Sequence, residues 1–171
     1  MAVGKQRDAA SHPINQAIIA GPSRIEAFGG TVLKKVLVVE DEKIDALSIG
    51  RVIKEHFPGV SLEIVNNGEQ ALDWIQHFRH LPSESVFLVL MDLTVPRISG
   101  LDLVAEFKKH PYLGHSPIVI LSGSDDPKAI RSAYDSGACG YLVKPSTYAQ
   151  MSELLRKTLT YWLDANQLSP T

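Results

Sequence analysis

Asp92 closes an uninterrupted apolar run, Val86-Phe87-Leu88-Val89-Leu90-Met91. Glu40-Asp41 follow a similar run, Lys34-Lys35-Val36-Leu37-Val38-Val39. Ser122 follows Pro117-Ile118-Val119-Ile120-Leu121, and Lys144 follows Cys139-Gly140-Tyr141-Leu142-Val143. Each of these polar residues has an ordinary reading alone. An acid after an apolar run is often a helix cap or turn residue, a serine a turn former, a lysine a solvated charge. Their recurrence at corresponding places points instead to a shared site. Two carboxylates about 4 Å apart repel by about 4 kcal/mol at an effective dielectric near 20, so such a cluster calls for a cation. An all-oxygen ligand set suits Mg²⁺, which keeps several waters and tends to bind together with phosphate. Lys144 adds a further positive charge and Ser122 a hydroxyl donor. The chemistry that fits is binding of a phosphoryl group, with Asp92 as nucleophile.

For these residues to meet, the runs must be parallel strands that end on one edge. A short run without polar interruption suits a strand buried on both faces. Between the runs the pattern turns helical. Ile49, Val52, Ile53 and Phe57 form a stripe that stops near Pro58-Gly59. Leu62, Ile64 and Val65 suggest a second strand, and Asn67 with Gln70 a capped helix start before Ala71, Trp74, Ile75 and Phe78. Ser99 caps a helix carrying Leu101, Val104, Phe107 and Lys108, which ends before Pro111. Asp125 or Asp126 caps the next, with Pro127 in its first turn and an inner face of Ile130, Ala133, Tyr134 and Gly137. Thr147 and Gln150 open the last helix, whose stripe is Met151, Leu154, Leu155, Leu159 and Trp162. Five strand–helix alternations predict an α/β fold: a doubly wound parallel sheet with right-handed crossovers. The stretch Leu81-Pro82-Ser83-Glu84-Ser85 reads as a long surface loop.

With 171 residues, 44% of them hydrophobic, the chain suits one domain with some length to spare. A net charge of -2 without a basic run argues against a nucleic-acid surface. One cysteine excludes an internal disulfide or a multi-cysteine metal site, and Cys139 reads as a small core residue. None of the six histidines forms a metal motif. No stretch reaches the roughly 18 apolar residues of a membrane span, and no secretory signal opens the chain. The expectation is a soluble, cytoplasmic protein. Residues 1–33 differ in character, with breaker clusters Gly21-Pro22-Ser23 and Gly29-Gly30-Thr31 around Ile14, Ile18 and Ile19. They read as an N-terminal extension, either a short helix or flexible chain, to which no function is given.

The sequence resembles the receiver domain of two-component response regulators. The matching stretches are Val38-Val39-Glu40-Asp41, Leu90 through Gly100, Val119-Ile120-Leu121-Ser122-Gly123 and Gly137 through Pro145. The resemblance covers a domain over 34–166 and leaves a C-terminal tail at 167–171. It implies a flavodoxin-like fold with strand order 2-1-3-4-5. It implies phosphorylation of Asp92 by a sensor histidine kinase, and Mg²⁺ held by Glu40, Asp41, Asp92 and the carbonyl of Thr94. Ser122 and Lys144 would contact the phosphoryl group, Ser122 and Tyr141 would act as the switch pair, and Lys144-Pro145 would be a cis peptide. An ordinary strand aromatic packed on Tyr134 is the competing reading of Tyr141. The protein would not be an enzyme beyond catalysing its own phosphorylation and dephosphorylation.

The chain ends soon after the fifth helix, so no DNA-binding output domain is expected and the signal would pass by protein–protein contact. Tyr161-Trp162-Leu163 and the loop after the second helix are similar to single-domain regulators that partner bacterial phytochrome kinases. A homodimer through the fourth helix, fifth strand and fifth helix is the expected output contact. The alternative function is a phosphohydrolase acting through an aspartyl-phosphate. It would want a second acid two residues after the nucleophile, where Thr94 stands. A flavodoxin-like cofactor binder would want a phosphate-cradling loop after the first strand, where Glu40-Asp41-Glu42 would repel phosphate.

Overall fold

The computed structural model describes residues 34–78 and 86–166. The predicted extension at 1–33, the loop at 81–85 and the tail at 167–171 lie outside the described residues. Five parallel strands alternate with five helices in the order β1 (Lys34–Val39), α1 (Lys43–His56), β2 (Val60–Val65), α2 (Gly68–His77), β3 (Val86–Met91), α3 (Gly100–Lys109), β4 (Ile118–Ser122), α4 (Pro127–Asp135), β5 (Gly140–Val143) and α5 (Tyr148–Thr160). The sheet order is β2-β1-β3-β4-β5, the flavodoxin-like arrangement.

Strand alternation divides the core in two. Leu37, Val39, Val89, Met91, Ile118 and Ile120 face α2 and α3 with Ala71, Ile75, Leu103, Val104 and Phe107. Val36, Val38, Leu88, Leu90, Val119 and Leu121 face α1 and α5 with Ile49, Val52, Ile53, Met151, Leu155 and Leu159. Successive strand residues point to opposite faces, so a sheet covered on both sides needs apolar residues at every position. That is why these runs lack the alternation of a half-exposed strand.

Helix starts follow local chemistry. Asn67 accepts from Gln70 N–H at 2.9 Å, while the Gln70 side chain accepts from Asn66 N–H at 2.9 Å. Asp126, not Asp125, caps α4, accepting from Lys128 N–H at 3.1 Å. Thr147 accepts from Gln150 N–H at 3.3 Å, and its hydroxyl also meets Gln150 Oε1.

Four expectations are corrected. Tyr134 and Gly137 do not form an inner face of α4: Tyr134 is 49% exposed, and Ala133 is the residue of that helix that is fully covered. The helix packs beside β5 at the sheet edge, where the surface it can cover is narrow. Cys139 is exposed rather than core. It precedes β5, its N–H donates to Ile118 O at 2.7 Å, and Ala138 takes the buried place beside it. Leu163, which the predicted stripe of the last helix leaves out, is buried four residues after Leu159 in a π-helical turn, Tyr161–Ala165, while Trp162 packs partly covered against the same core. Lys144-Pro145 is trans, since no cis peptide occurs among the described residues; trans is the intrinsically preferred isomer even before proline.

Candidate functional site

The ladder that aligns the strands also aligns their ends. Val39 pairs with Met91 across β1 and β3, so Glu40 and Asp92 emerge side by side. Asp92 N–H donates to Val39 O at 2.9 Å and Glu40 N–H to Val65 O at 3.0 Å, extending the pairing one residue past each strand. On the other side Ser122 pairs with Val143, and Lys144 N–H donates to Ser122 O at 2.7 Å.

Lys144 reaches back across this edge. Its Nζ lies 2.6 Å from Asp92 Oδ2, 2.7 Å from Glu40 Oε2 and 2.8 Å from Asp45 Oδ2. An ammonium has three N–H donors, and here each has a carboxylate. Glu40 is 1% exposed and Asp92 8%. Burial raises the Glu40 carboxyl to about 7, against the opposing pull of Lys144. Burial works to neutralise Lys144 as well, but hydrogen bonds to Asp45, Asp92 and Glu40 outweigh it and hold the ammonium above its ordinary range.

Backbone donors fix the acids in place. Glu40 Oε1 accepts from Glu42 N–H at 3.2 Å, and Asp92 Oδ1 from Thr94 N–H at 2.8 Å. The loop after β3 is held from two sides. Pro96 O accepts from Gly68 N–H at 3.2 Å, and Arg97, at φ 77°, pairs with Glu69 on α2. Gly100 lies so close beneath the loop that a Cβ there would stand 2.7 Å from Leu93 Cα and 2.8 Å from Asp92 O. Only a residue without a side chain allows that approach.

The structure therefore brings Glu40, Asp41, Asp92 and Lys144 together. Carboxylate oxygens of Glu40, Asp41 and Asp92 all lie within 4.8 Å of one another, with Asp41 exposed on the outer side. An oxygen-only donor set, one member open to water, fits a hard dication such as Mg²⁺. Thr94 is exposed next to Asp92 and touches it through its N–H. Ser122 is buried at the end of β4, and its Oγ accepts from Ser124 N–H at 3.3 Å. Tyr141 packs at the margin of the α2–α3 core and donates from its hydroxyl to Ser124 O at 2.8 Å. Ser124 is thus bonded to both members of the predicted switch pair.

Sequence reasoning missed Asp45. It sits in the first turn of α1 and is the third partner of Lys144. An acid in a first turn ordinarily reads as a complement to the helix dipole, and only the reach of Lys144 singles it out.

Residues 36–156 match the response regulator receiver domain family. The chain is similar to the two-component response regulator ORR13 of Oryza sativa subsp. japonica, 32% identical over 120 residues covering 70% of this chain and 93% of that protein. It is similar to the response regulator Rcp1 of Synechocystis sp., 27% identical over 134 residues, 77% of this chain and 90% of that one. The crystal structure of Rcp1 in its Mn²⁺-bound form aligns with a TM-score of 0.70 at 26% identity, covering 80% of this chain and 99% of that one. The phosphorylated cyanobacterial phytochrome response regulator RcpA aligns with a TM-score of 0.72, also at 26% identity, over 80% of this chain and 99% of that one.

Proposed function

The chain belongs to the response regulator receiver domain family, and from that premise we propose that it accepts a phosphoryl group on Asp92 from a sensor histidine kinase. The observation that carries this reading is the meeting of three carboxylates with Lys144, its Nζ 2.6 Å from Asp92 Oδ2. An Asp92 carboxylate oxygen attacks the phosphorus of a phosphohistidine. The new O–P bond forms as the P–N bond breaks, and the imidazole leaves with the electron pair. Glu40, Asp41, Asp92 and the Thr94 carbonyl would hold Mg²⁺, which when bound neutralises charge on the transferring group. Lys144 and the Ser122 hydroxyl serve the phosphoryl oxygens. Thr94 N–H keeps the acceptor carboxylate oriented.

The likeness to RcpA supports a kinase of the phytochrome type as the donor. The domain spans 34–166 and works as a signalling protein of the cytoplasm. Its output is contact with other proteins, including a second copy through α4, β5 and α5, where Tyr134 and Val143 expose apolar surface.

Acetyl phosphate with Mg²⁺ tests the acceptor. Intact-mass measurement should show one added phosphoryl group on the wild-type chain and none on Asp92→Asn. An undiminished phosphoprotein peak in the variant overturns the assignment.

A further inference from the structure

Lys144 divides its three contacts between two kinds of partner. Glu40 and Asp92 belong to the group of acids whose oxygens converge, whereas Asp45 stands outside that group. Asp45 is also not used where its position would place it by default. Three residues after the N-cap Glu42, an acidic side chain can close a capping box on the N-cap N–H. Here that N–H is taken by Glu40 Oε1, and Glu42 makes no side-chain cap. The Asp45 carboxylate turns to Lys144 instead, about one-third exposed by its side chain at 29%.

An ammonium and a dication cannot both lie between Glu40 and Asp92. Two cations drawn to the same pair of partly buried acids repel each other more strongly than they would in bulk water. Lys144 therefore has to loosen its hold on those two acids when the cluster is loaded, and Asp45 is the carboxylate left within its reach. Resting on the receiver reading of the site, we propose that Asp45 is a positioning residue, the anchor that retains Lys144 at the strand edge while Glu40 and Asp92 turn to a divalent cation. Asp45 thereby favours the loaded site without being one of its ligands. It also keeps the ammonium beside Asp92 for the phosphoryl group.

Calorimetric titration with Mg²⁺ alone, at fixed pH and without phosphodonor, tests this in a double-mutant cycle. Groups joined in one ion-pair network are coupled in such cycles, so Asp45→Asn should weaken Mg²⁺ binding by roughly fivefold in the wild-type background and by less than about twofold in Lys144→Gln. Glu42→Gln removes the same charge from the same turn without touching Lys144, and serves where the Lys144 variant does not fold. It should weaken binding clearly less than Asp45→Asn. Equal losses in both backgrounds, or from both acid variants, would mean that Asp45 acts as a distant charge only and would overturn the proposal, as would tighter binding by Asp45→Asn. Absence of Mg²⁺ binding by the wild-type chain would overturn the reading of the site itself, and the inference with it.

Discussion

Lys144 Nζ stands 2.6 Å from Asp92 Oδ2, so the residue that follows β5 is tied to the residue that follows β3 across the whole of β4. The sheet edge is closed by one ammonium whose side chain is only 12% exposed.

Removing that ammonium should leave Glu40 and Asp92 facing each other uncompensated. Breaking a buried pair by deleting one partner costs 3–5 kcal/mol, and the open rim here puts Lys144→Ala at about 3 kcal/mol in chelator. Mg²⁺ at millimolar concentration should recover much of the loss. Denaturant unfolding with chelator and with Mg²⁺ measures both; a variant as stable as wild type in chelator would contradict this account of the edge.

Glu40 makes the metal-free protein sensitive to pH. Its carboxyl is raised from 4.5 to about 7, first by burial. The folded state therefore binds this proton more tightly than the unfolded chain does. Its contribution is fully present below the unfolded value and is lost as pH rises through the window from 4.5 to about 7. One pKa unit corresponds to about 1.4 kcal/mol, so the loss is on the order of 3 kcal/mol. In chelator, the stability difference between wild type and Glu40→Gln should change by that order between pH 4 and 8. A pH-independent difference would show that Glu40 titrates alike in both states.

Gly100→Ala should push the β3–α3 loop away from its seat. The added methyl meets Leu93 Cα at 2.7 Å and Asp92 O at 2.8 Å, both backbone atoms that cannot rotate aside. Overpacking of this kind costs roughly 1–3 kcal/mol. Because the displaced carbonyl is that of Asp92 itself, acetyl phosphate labelling should slow as well. Unchanged unfolding midpoint and labelling rate together would refute the close approach.

Phosphorylation adds close to two negative charges at this edge. If Ser122 Oγ turns to a phosphoryl oxygen, it gives up Ser124 N–H, and the Tyr141 hydroxyl loses a fixed Ser124 O. The expected result is a shift toward dimer when beryllofluoride and Mg²⁺ are added, measured by sedimentation, and a smaller shift for Tyr141→Ala. Identical association in all samples would leave contact with a different protein as the output.

Much of this architecture was legible in residue order, because burial on both faces demands apolar residues without a break and helices on a sheet demand a stripe of period 3.6. The runs ending at Glu40, Asp92, Ser122 and Lys144 carried the strands, and the alternation of runs and stripes carried the parallel topology. Asn67, Ser99 and Thr147 marked helix starts because a cap is a contact over two or three residues. What was not legible depends on distant chain. Whether Tyr134 and Cys139 are covered depends on how far α4 and β5 sit from the sheet centre, and at the edge the described residues leave both exposed. Leu163 continues the series Met151, Leu155, Leu159 into the π-helical turn that follows α5, and it is buried because the core extends that far. Asp45 and Lys144 are 99 residues apart. Their pairing exists because the β2-β1-β3-β4-β5 order brings α1 and the end of β5 to one edge, a consequence of strand packing that neither residue's local sequence contains.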